Sequence, residues 1–499
     1  MSRKGYPLWF RHLIIMVLIT LLATSHLGIA ARFLHLPFLP VSIRAEQLAT
    51  GHDILVFRAG FPRTIYSLDL ESGQLKHIIS DAGLMLSVSP DGRMVAFNSE
   101  NNLYVVNVDG TGLRQITDGE RRITSLSWSP DGHRLAYVIT VSPSTWDSDL
   151  HVWNLDTLED KRLNPDELSV DEYSSIHWLP DGHGLLFRAR KRQPGFEKDW
   201  YGESADSVHF DLYLINDDGS NLVNLTNGIG NVIASYLSPD GQTVIFSSDM
   251  ENRAATEKEG DYMHDFKVFL MNLETREMVE VMSLLTGRQE APLGWPSSPW
   301  APDSEWVLLP PRILRPDTLR AVKPDGTLHH EIINLTYGPR GDVGISGFTV
   351  SLSPDGKTVA GGGRFKEGGK ECLCAVDADG SDFRVLVPDV YVKWLVWSPD
   401  SKSIFFMYIV EEFSTDYQYG IVNVDGSGFY DPFAGLPEKL TRVEDVHWVR
   451  LSLPTPTPTV LTPAATPVPT STPGGGICAT SGAIVVAAVL AWWVIQQRR

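Results

Sequence analysis

The residues of this sequence best suited to chemistry fall in four irregular stretches: 142–149, 190–210, 249–265 and 411–417. Each sets aromatic side chains beside carboxylates. The aromatic residues are Trp146, Phe196, Trp200, Tyr201, Tyr262 and Tyr417. The acids are Glu203, Asp206, Asp261, Asp265, Glu411 and Glu412. Large, stiff aromatic surfaces next to charge are the usual anchors of binding interfaces, so these twelve positions are the candidate binding residues. The alternative is that they fold back and pack as small local cores under their own loops.

Catalytic readings find less support. Gly202-Glu203-Ser204-Ala205-Asp206 lacks the closing glycine of a nucleophile elbow, and no HExxH run occurs, so no catalytic residue is assigned. Asp261, His264 and Asp265 are close enough in sequence to approach a metal, yet one short cluster falls short of a ligand set and reads better as solvated charge. Asp377–Asp382 (DADGSD) begins like a calcium loop but lacks its later bidentate glutamate, and a hairpin bend accounts for it. His133, His177, His183, His209 and His447 are scattered, with no pairing among them. No metal or cofactor is expected.

What positions the irregular stretches is a repeat. Seven segments share one pattern: Leu86–Phe97 (LSVSPDGRMVAF), Leu126–Val138, Ile176–Phe187, Ser235–Phe246, Ser298–Leu309, Val350–Gly361 and Leu395–Phe406. In five of the seven Ser opens a type I turn (Leu179 and Ala301 stand there in the others), Pro fixes φ, Asp follows and Gly takes the left-handed conformation before the chain returns. Ser304 and Ser401 stand at the glycine position, where a Cβ costs up to about 1 kcal/mol. The flanks are short apolar strands. A second hairpin bent at Asp-Gly follows in most copies, as in Leu103–Thr117, Leu212–Thr226, Leu373–Val387 and Gly420–Phe429, and reads as a tight two-residue turn. Each unit is thus four antiparallel strands, one propeller blade.

The ends of the array complement each other. Residues 53–78 supply strands two to four of a blade with no first strand, and Val443–Arg450 supplies a first strand alone. Joined, they close a ring without a free edge. The fold expected is an all-β, eight-bladed β-propeller over 45–450, with seven blades as the alternative if one pairing fails.

Paired with downstream D-L-Y-x-x-x-x-D-G strands, the PDG strands resemble the TolB-like, WD-repeat-like propeller repeats of bacterial envelope proteins, over roughly 52–450. The resemblance implies the fold firmly. Such repeats occur in partner-binding scaffolds, in the non-catalytic domain of prolyl-oligopeptidase-type enzymes and occasionally in a lyase.

Outside the repeat the chain changes character. Residues 1–31 carry a basic segment, an apolar run from Leu13 to Ala23, and Gly28 and Ala30 at a cleavage-like site, which reads as a signal peptide or an uncleaved signal anchor. Residues 451–476 form a Pro/Thr-rich stalk that favours extended polyproline geometry. Residues 477–497 read as one transmembrane helix with Trp492 and Trp493 near an interface and a basic tail. This ending also resembles bacterial C-terminal sorting signals, in which the helix is exchanged for another anchor; a plain anchor is the preferred reading. The expected location is the cell membrane, single-pass, with the propeller on the extracytoplasmic side.

The net charge is −19, and because seven basic residues and no acids lie in 1–44 and 451–499, the body carries −26. Such a body repels phosphate backbones, so no nucleic acid partner is expected. Cys372 and Cys374 share one face of a strand, where adjacent thiols bridge poorly, and read as unbridged structural residues together with Cys478. The leading expectation is a scaffold that binds a protein or glycan at the cell surface. The alternatives are an extracytoplasmic hydrolase or lyase with its site in the funnel, and a stalk protein without a ligand. The sequence sets no oligomeric state.

Overall fold

The computed structural model describes residues 52–119, 121–142, 147–172, 175–192, 209–249, 264–286, 298–309, 318–334, 343–345, 350–365, 371–411, 414–436 and 440–451. The signal segment, stalk and C-terminal apolar segment lie outside these. Among the described residues no helix is long and apolar enough to cross a membrane.

Eight antiparallel sheets make eight propeller blades. In chain order blades 1–7 span 86–115, 123–162, 168–224, 231–286, 300–334, 343–387 and 391–430, and blade 8 joins 444–451 to 52–79. Blade 1 shows the pattern, with Leu86–Val88, Met94–Ser99, Asn102–Asn107 and Arg114–Gln115 side by side in that order. First strands of neighbouring blades touch, as Leu86–Val88 does Ile123–Trp128, and fourth strands such as Arg114–Gln115 are exposed. The first strands therefore converge on the axis and the fourth form the perimeter.

The second strands are apolar on both faces because both faces are buried. In blade 1, Val95 and Phe97 pack toward blade 8, whereas the intervening Ala96 packs toward blade 2. Eight such clusters fill the eight seams between blades, the last uniting Val56 and Ile65 with Val95, Phe97 and Val106. Burying one phenylalanine at such a seam contributes roughly 2–3 kcal/mol. Aromatic pairs across the second and third strands recur: Phe97 and Tyr104 lie 5.4 Å apart, Phe57 and Tyr66 5.8 Å, and Phe187 and Tyr213 6.0 Å.

Closure follows the expected scheme. Glu444–Leu451 pairs antiparallel with His52–Ala59, setting Leu55 opposite Trp448 and His52 opposite Leu451. Arg450 donates two hydrogen bonds of 2.7 Å to Asp53 across the seam, and a third of 3.2 Å to Asp400 in the turn of blade 7.

The PDG turns form one rim. In the first, the Gly92 N–H donates to Ser89 O (2.8 Å), the Ser89 hydroxyl donates to Asp91 (2.6 Å), and the Met94 N–H donates to Ser89 Oγ (2.9 Å). Gly92, Gly132, Gly182, Gly241 and Gly356 all have φ of 72–74°. Neighbouring turns are in contact: a Cβ on Gly241 would fall 2.6 Å from Pro180 Cδ, and one on Gly356 would fall 2.6 Å from Pro302 Cδ. Ser304 (φ 62°) and Ser401 (φ 61°) take the left-handed conformation as expected. Their cost is offset, because the Ser304 hydroxyl accepts the Asp240 N–H and that of Ser401 the Asp355 N–H, both at 3.0 Å, from the preceding blade's turn.

Two expectations need correction. The Asp-Gly bends are three-residue loops, in which the Asn107 N–H donates to Thr111 O at 2.9 Å and Gly110 has φ 81°. One added residue in the left-handed region matches the strand twist as a bulge turn. Cys372 and Cys374 are joined as a disulfide, with Cα atoms 5.9 Å apart and both residues buried. That separation lies within the ordinary disulfide range, which side chains two apart on one strand reach because they share a face.

Candidate functional site

Several charged and polar side chains at the seams join neighbouring blades. The Trp128, Trp178, Trp300 and Trp397 indoles donate to first-strand carbonyls of the preceding blade, at Ser87 (3.2 Å), Ser127 (3.1 Å), Tyr236 (3.0 Å) and Ser351 (3.3 Å). The Arg58 guanidinium in blade 8 bonds Asp445 and Gly83 O before blade 1; that of Arg188 in blade 3 bonds Asp171 and Val232 O in blade 4. His177 bonds Ser235 O at 2.8 Å in the next blade, and His447 meets the backbone of Leu86. Burial holds both imidazoles below the ordinary histidine pKa. They act as staples between first strands. Among the described residues no group of three or more His, Cys, Asp or Glu is placed to hold a metal ion.

Blade 7 is different. Its sheet has three strands, Tyr391–Trp397, Ser403–Ile409 and Gln418–Asn423, and the fourth is reduced to a single bridge between Ile421 and Tyr430. Where the sheet stops, a groove of about 600 Å³ opens. Its walls are the rings of Tyr408, Tyr417, Tyr419, Phe429 and Phe433, with Asp416 and Asp431 at its edges, and none of the lining residues among those described is basic. Tyr417 and Phe429 are each 45% exposed and Tyr430 46%, a large aromatic surface for one edge of a blade.

The local sequence explains the opening. Residues 418–433 align with 102–117 of blade 1 through their shared NVDG turn, and depart from them at three telling places. Gly420 stands where blade 1 has Tyr104, and the Phe429 ring fills that space, since a Cβ on Gly420 would fall 2.5 Å from it. Phe429 packs 6.0 Å from Phe406 and 6.3 Å from Tyr408. Pro432 stands for Ile116 and Phe433 for Thr117, and the chain leaves the sheet there. Phe433 turns into the seam with blade 8, 5.2 Å from Phe57 and 5.4 Å from Tyr419.

The groove is electrostatically one-sided. Crowding by protein raises the Asp431 carboxyl above its ordinary value, against the Phe433 N–H that it accepts at 2.9 Å. Burial, reinforced by Asp431, raises the Tyr408 phenol. Burial also raises the Tyr419 phenol, whose oxygen accepts the Val443 N–H at 2.9 Å.

Of the candidates read from sequence, Tyr417 lies in this groove, and Glu411 is exposed on the loop that leads to it. Asp265 lies in a strand of blade 4, opposite Leu285, and is not brought to the groove. Trp146, Phe196, Trp200, Tyr201, Glu203, Asp206, Asp261, Tyr262 and Glu412 lie outside the described residues. Tyr408, Phe429 and Asp431 also line the groove, and Tyr430 is exposed beside it; none of them lies in a long loop. The signal lay in the break of the repeat at Gly420, Pro432 and Phe433. Asp377–Asp382 is a hairpin bend, with the Asp379 carboxylate accepting the Ser381 N–H at 2.9 Å.

Comparison with known proteins agrees with this fold. Residues 49–125 match the family model of the dipeptidyl peptidase IV (DPP IV) N-terminal region. A stretch of 65 residues is 34% identical to dipeptidyl-peptidase 5 of Porphyromonas endodontalis, covering 11% of this chain and 9% of that protein. The solved dipeptidyl peptidase 4 of Porphyromonas gingivalis superposes with a TM-score of 0.51 at 11% identity, over 76% of this chain and 60% of that one. TolB from Acinetobacter baumannii is among the neighbours, at TM-score 0.33 and 14% identity, over 81% of this chain and 80% of that one. The chain thus spans less than two thirds of the length of these peptidases. The shared feature is the propeller.

Proposed function

We propose that this chain is an extracytoplasmic binding scaffold, held at the membrane through its C-terminal segment, that captures a protein or glycan in the groove of blade 7. The observation that carries this reading is the exposed aromatic, acidic edge around Tyr417, where the fourth strand of blade 7 is reduced to one bridge. A rigid frame that carries an irregular edge is the usual arrangement for recognition. The likeness to the propeller regions of peptidases and to TolB supports a recognition role, and the apolar terminal segments support display at a membrane.

The test uses the purified full chain, presented to peptide and oligosaccharide panels with and without divalent metal. Saturable binding that is lost in Tyr417→Ala and Phe429→Ala variants of unchanged melting temperature supports the scaffold. Sustained turnover of any panel member replaces it with a hydrolase or lyase. For location, protease added to intact cells should degrade the propeller; protection until the membrane is permeabilised refutes extracytoplasmic display.

A further inference from the structure

In blades 1, 2 and 3 one residue of the third strand, always leucine, has both of its outward backbone groups satisfied by the chain's own fourth strand. The carbonyls of Leu103, Leu150 and Leu212 accept the N–H of Ile116 (2.7 Å), Leu163 (2.8 Å) and Leu225 (2.8 Å). Their N–H groups donate to Thr117 Oγ1 (2.9 Å), Asn164 Oδ1 (2.7 Å) and Thr226 Oγ1 (3.0 Å). The arrangement is the same three times.

Tyr419 holds this place in blade 7. Ile421, two residues on, exchanges both backbone hydrogen bonds with Tyr430, at 2.8 and 3.0 Å, which fixes the parity: odd-numbered residues of Gln418–Asn423 face outward. The positions in line with Ile116 and Thr117 are Pro432, which has no N–H to donate, and Phe433, whose side chain has no oxygen to accept. The Tyr419 N–H and C=O thus face outward without a partner among the described residues, on a residue that is 8% exposed. Buried backbone groups left in this state cost roughly 1–3 kcal/mol each, so a segment that satisfies them gains affinity by doing so.

We propose that an extended cationic peptide segment completes blade 7, adding as its fourth strand along Tyr417–Tyr419. This rests on the groove being the binding site, and narrows its occupant. The ladder position at Tyr419 offers main-chain hydrogen bonds, the mode by which peptides add to sheet edges, and Tyr417 lies directly before that strand. Asp416 and Asp431 and the rings of Tyr408, Tyr417 and Phe429 surround the space beside that edge, which suits a lysine or arginine side chain through both ion pairing and cation–π contact. A charge of −26 on the body draws such a segment toward it.

The probe is a fluorescein-labelled (Lys-Val)4 peptide, read by anisotropy against the purified full chain. Beside it stand (Gln-Val)4, two isomers of the probe N-methylated at either the lysine or the valine amides, and the neutral sugars chitohexaose and cellohexaose. The (Gln-Val)4 peptide is expected to bind at least about ten-fold more weakly, the equivalent of about 1.4 kcal/mol. One methylated isomer should lose binding and the other keep it, because alternate amides of a strand face one side. Pro432→Ile restores the missing donor and lets the chain close its own edge, so it should weaken the probe at least about ten-fold with no fall in melting temperature. Tyr417→Ala, at an exposed position, should weaken it independently of any effect on folding.

Equal binding of the two methylated isomers, or full binding to Pro432→Ile, overturns strand addition. If a hexasaccharide binds and is lost in Tyr417→Ala while the peptides do not bind, strand addition falls and the scaffold reading stands. If no probe of either class responds to Tyr417→Ala, both fall.

Discussion

Ser304 and Ser401 separate two opposed effects at one position. Ser304 has φ 62° and is 5% exposed, and its hydroxyl accepts the Asp240 N–H of the neighbouring blade at 3.0 Å. Replacing it with alanine keeps the Cβ in the left-handed region and leaves that N–H without an acceptor, which costs about 1–2 kcal/mol. Glycine loses the same hydrogen bond but releases the Cβ, worth about 1 kcal/mol, so Ser304→Gly should sit within about 1 kcal/mol of the parent. The order of stability is then parent, glycine, alanine, with the two variants about 1 kcal/mol apart. Equilibrium urea unfolding of the full chain, with midpoints and slopes compared, measures this. The Ser401 bond to Asp355 joins a different pair of blades, so losses in Ser304→Ala/Ser401→Ala should add. A Ser304→Ala protein as stable as the parent, or a Ser304→Gly protein more stable by the whole of the strain, would show that the hydroxyl contributes nothing across the seam.

Trp300→Phe should lose about 2 kcal/mol in the same unfolding experiment, since it removes the 3.0 Å hydrogen bond to the Tyr236 carbonyl and leaves space at a buried seam; an unchanged midpoint refutes the staple. Stability should fall with pH below about 7, because buried His177 and His447 have folded pKa values under 6.5: the unfolded chain takes up protons there that the folded chain does not. His177→Gln should flatten that slope between pH 7 and 5.5, and an equal slope in the variant removes His177 from the account. A second loss is expected as pH falls from about 4 toward 2: burial alone would raise the Asp131 carboxyl, but the Ser129 hydroxyl, the His133 N–H and Arg134 outweigh it and hold it at about 2. Arg450→Met should speed amide exchange in His52–Ala59 more than in Met94–Ser99, since it removes the bidentate bond to Asp53; uniform exchange would argue against a distinct closing seam.

The fold was legible because its signals are local and repeated. SPDG specifies a turn whichever blade it closes, and the missing first strand at 53–78 with the spare strand at 443–450 left one way to finish the ring. The Asp-Gly bend was misread by one residue because Asp-Gly suits both two- and three-residue hairpins, and only the register of the flanking strands decides between them. The site was less legible. The loop candidates from Trp146 to Tyr262 lie outside the described residues, and the groove is made by short-range substitutions at Gly420, Pro432 and Phe433, each unremarkable alone. Their effect shows only when 418–433 is set against 102–117, position by position.

That contrast is itself an argument about where recognition sits. In a closed ring each blade meets the same two demands, filling two seams and satisfying its own outer strand, so a residue that follows the repeat needs no other explanation. Pro432 follows neither demand. It leaves the Tyr419 carbonyl without the donor that Ile116, Leu163 and Leu225 supply in their own blades, while Gly420 leaves space that the Phe429 ring fills. Stability alone would favour isoleucine at 432. If Pro432→Ile proves more stable than the parent and loses its ligand, the open edge is a feature kept at the expense of stability, as binding edges generally are.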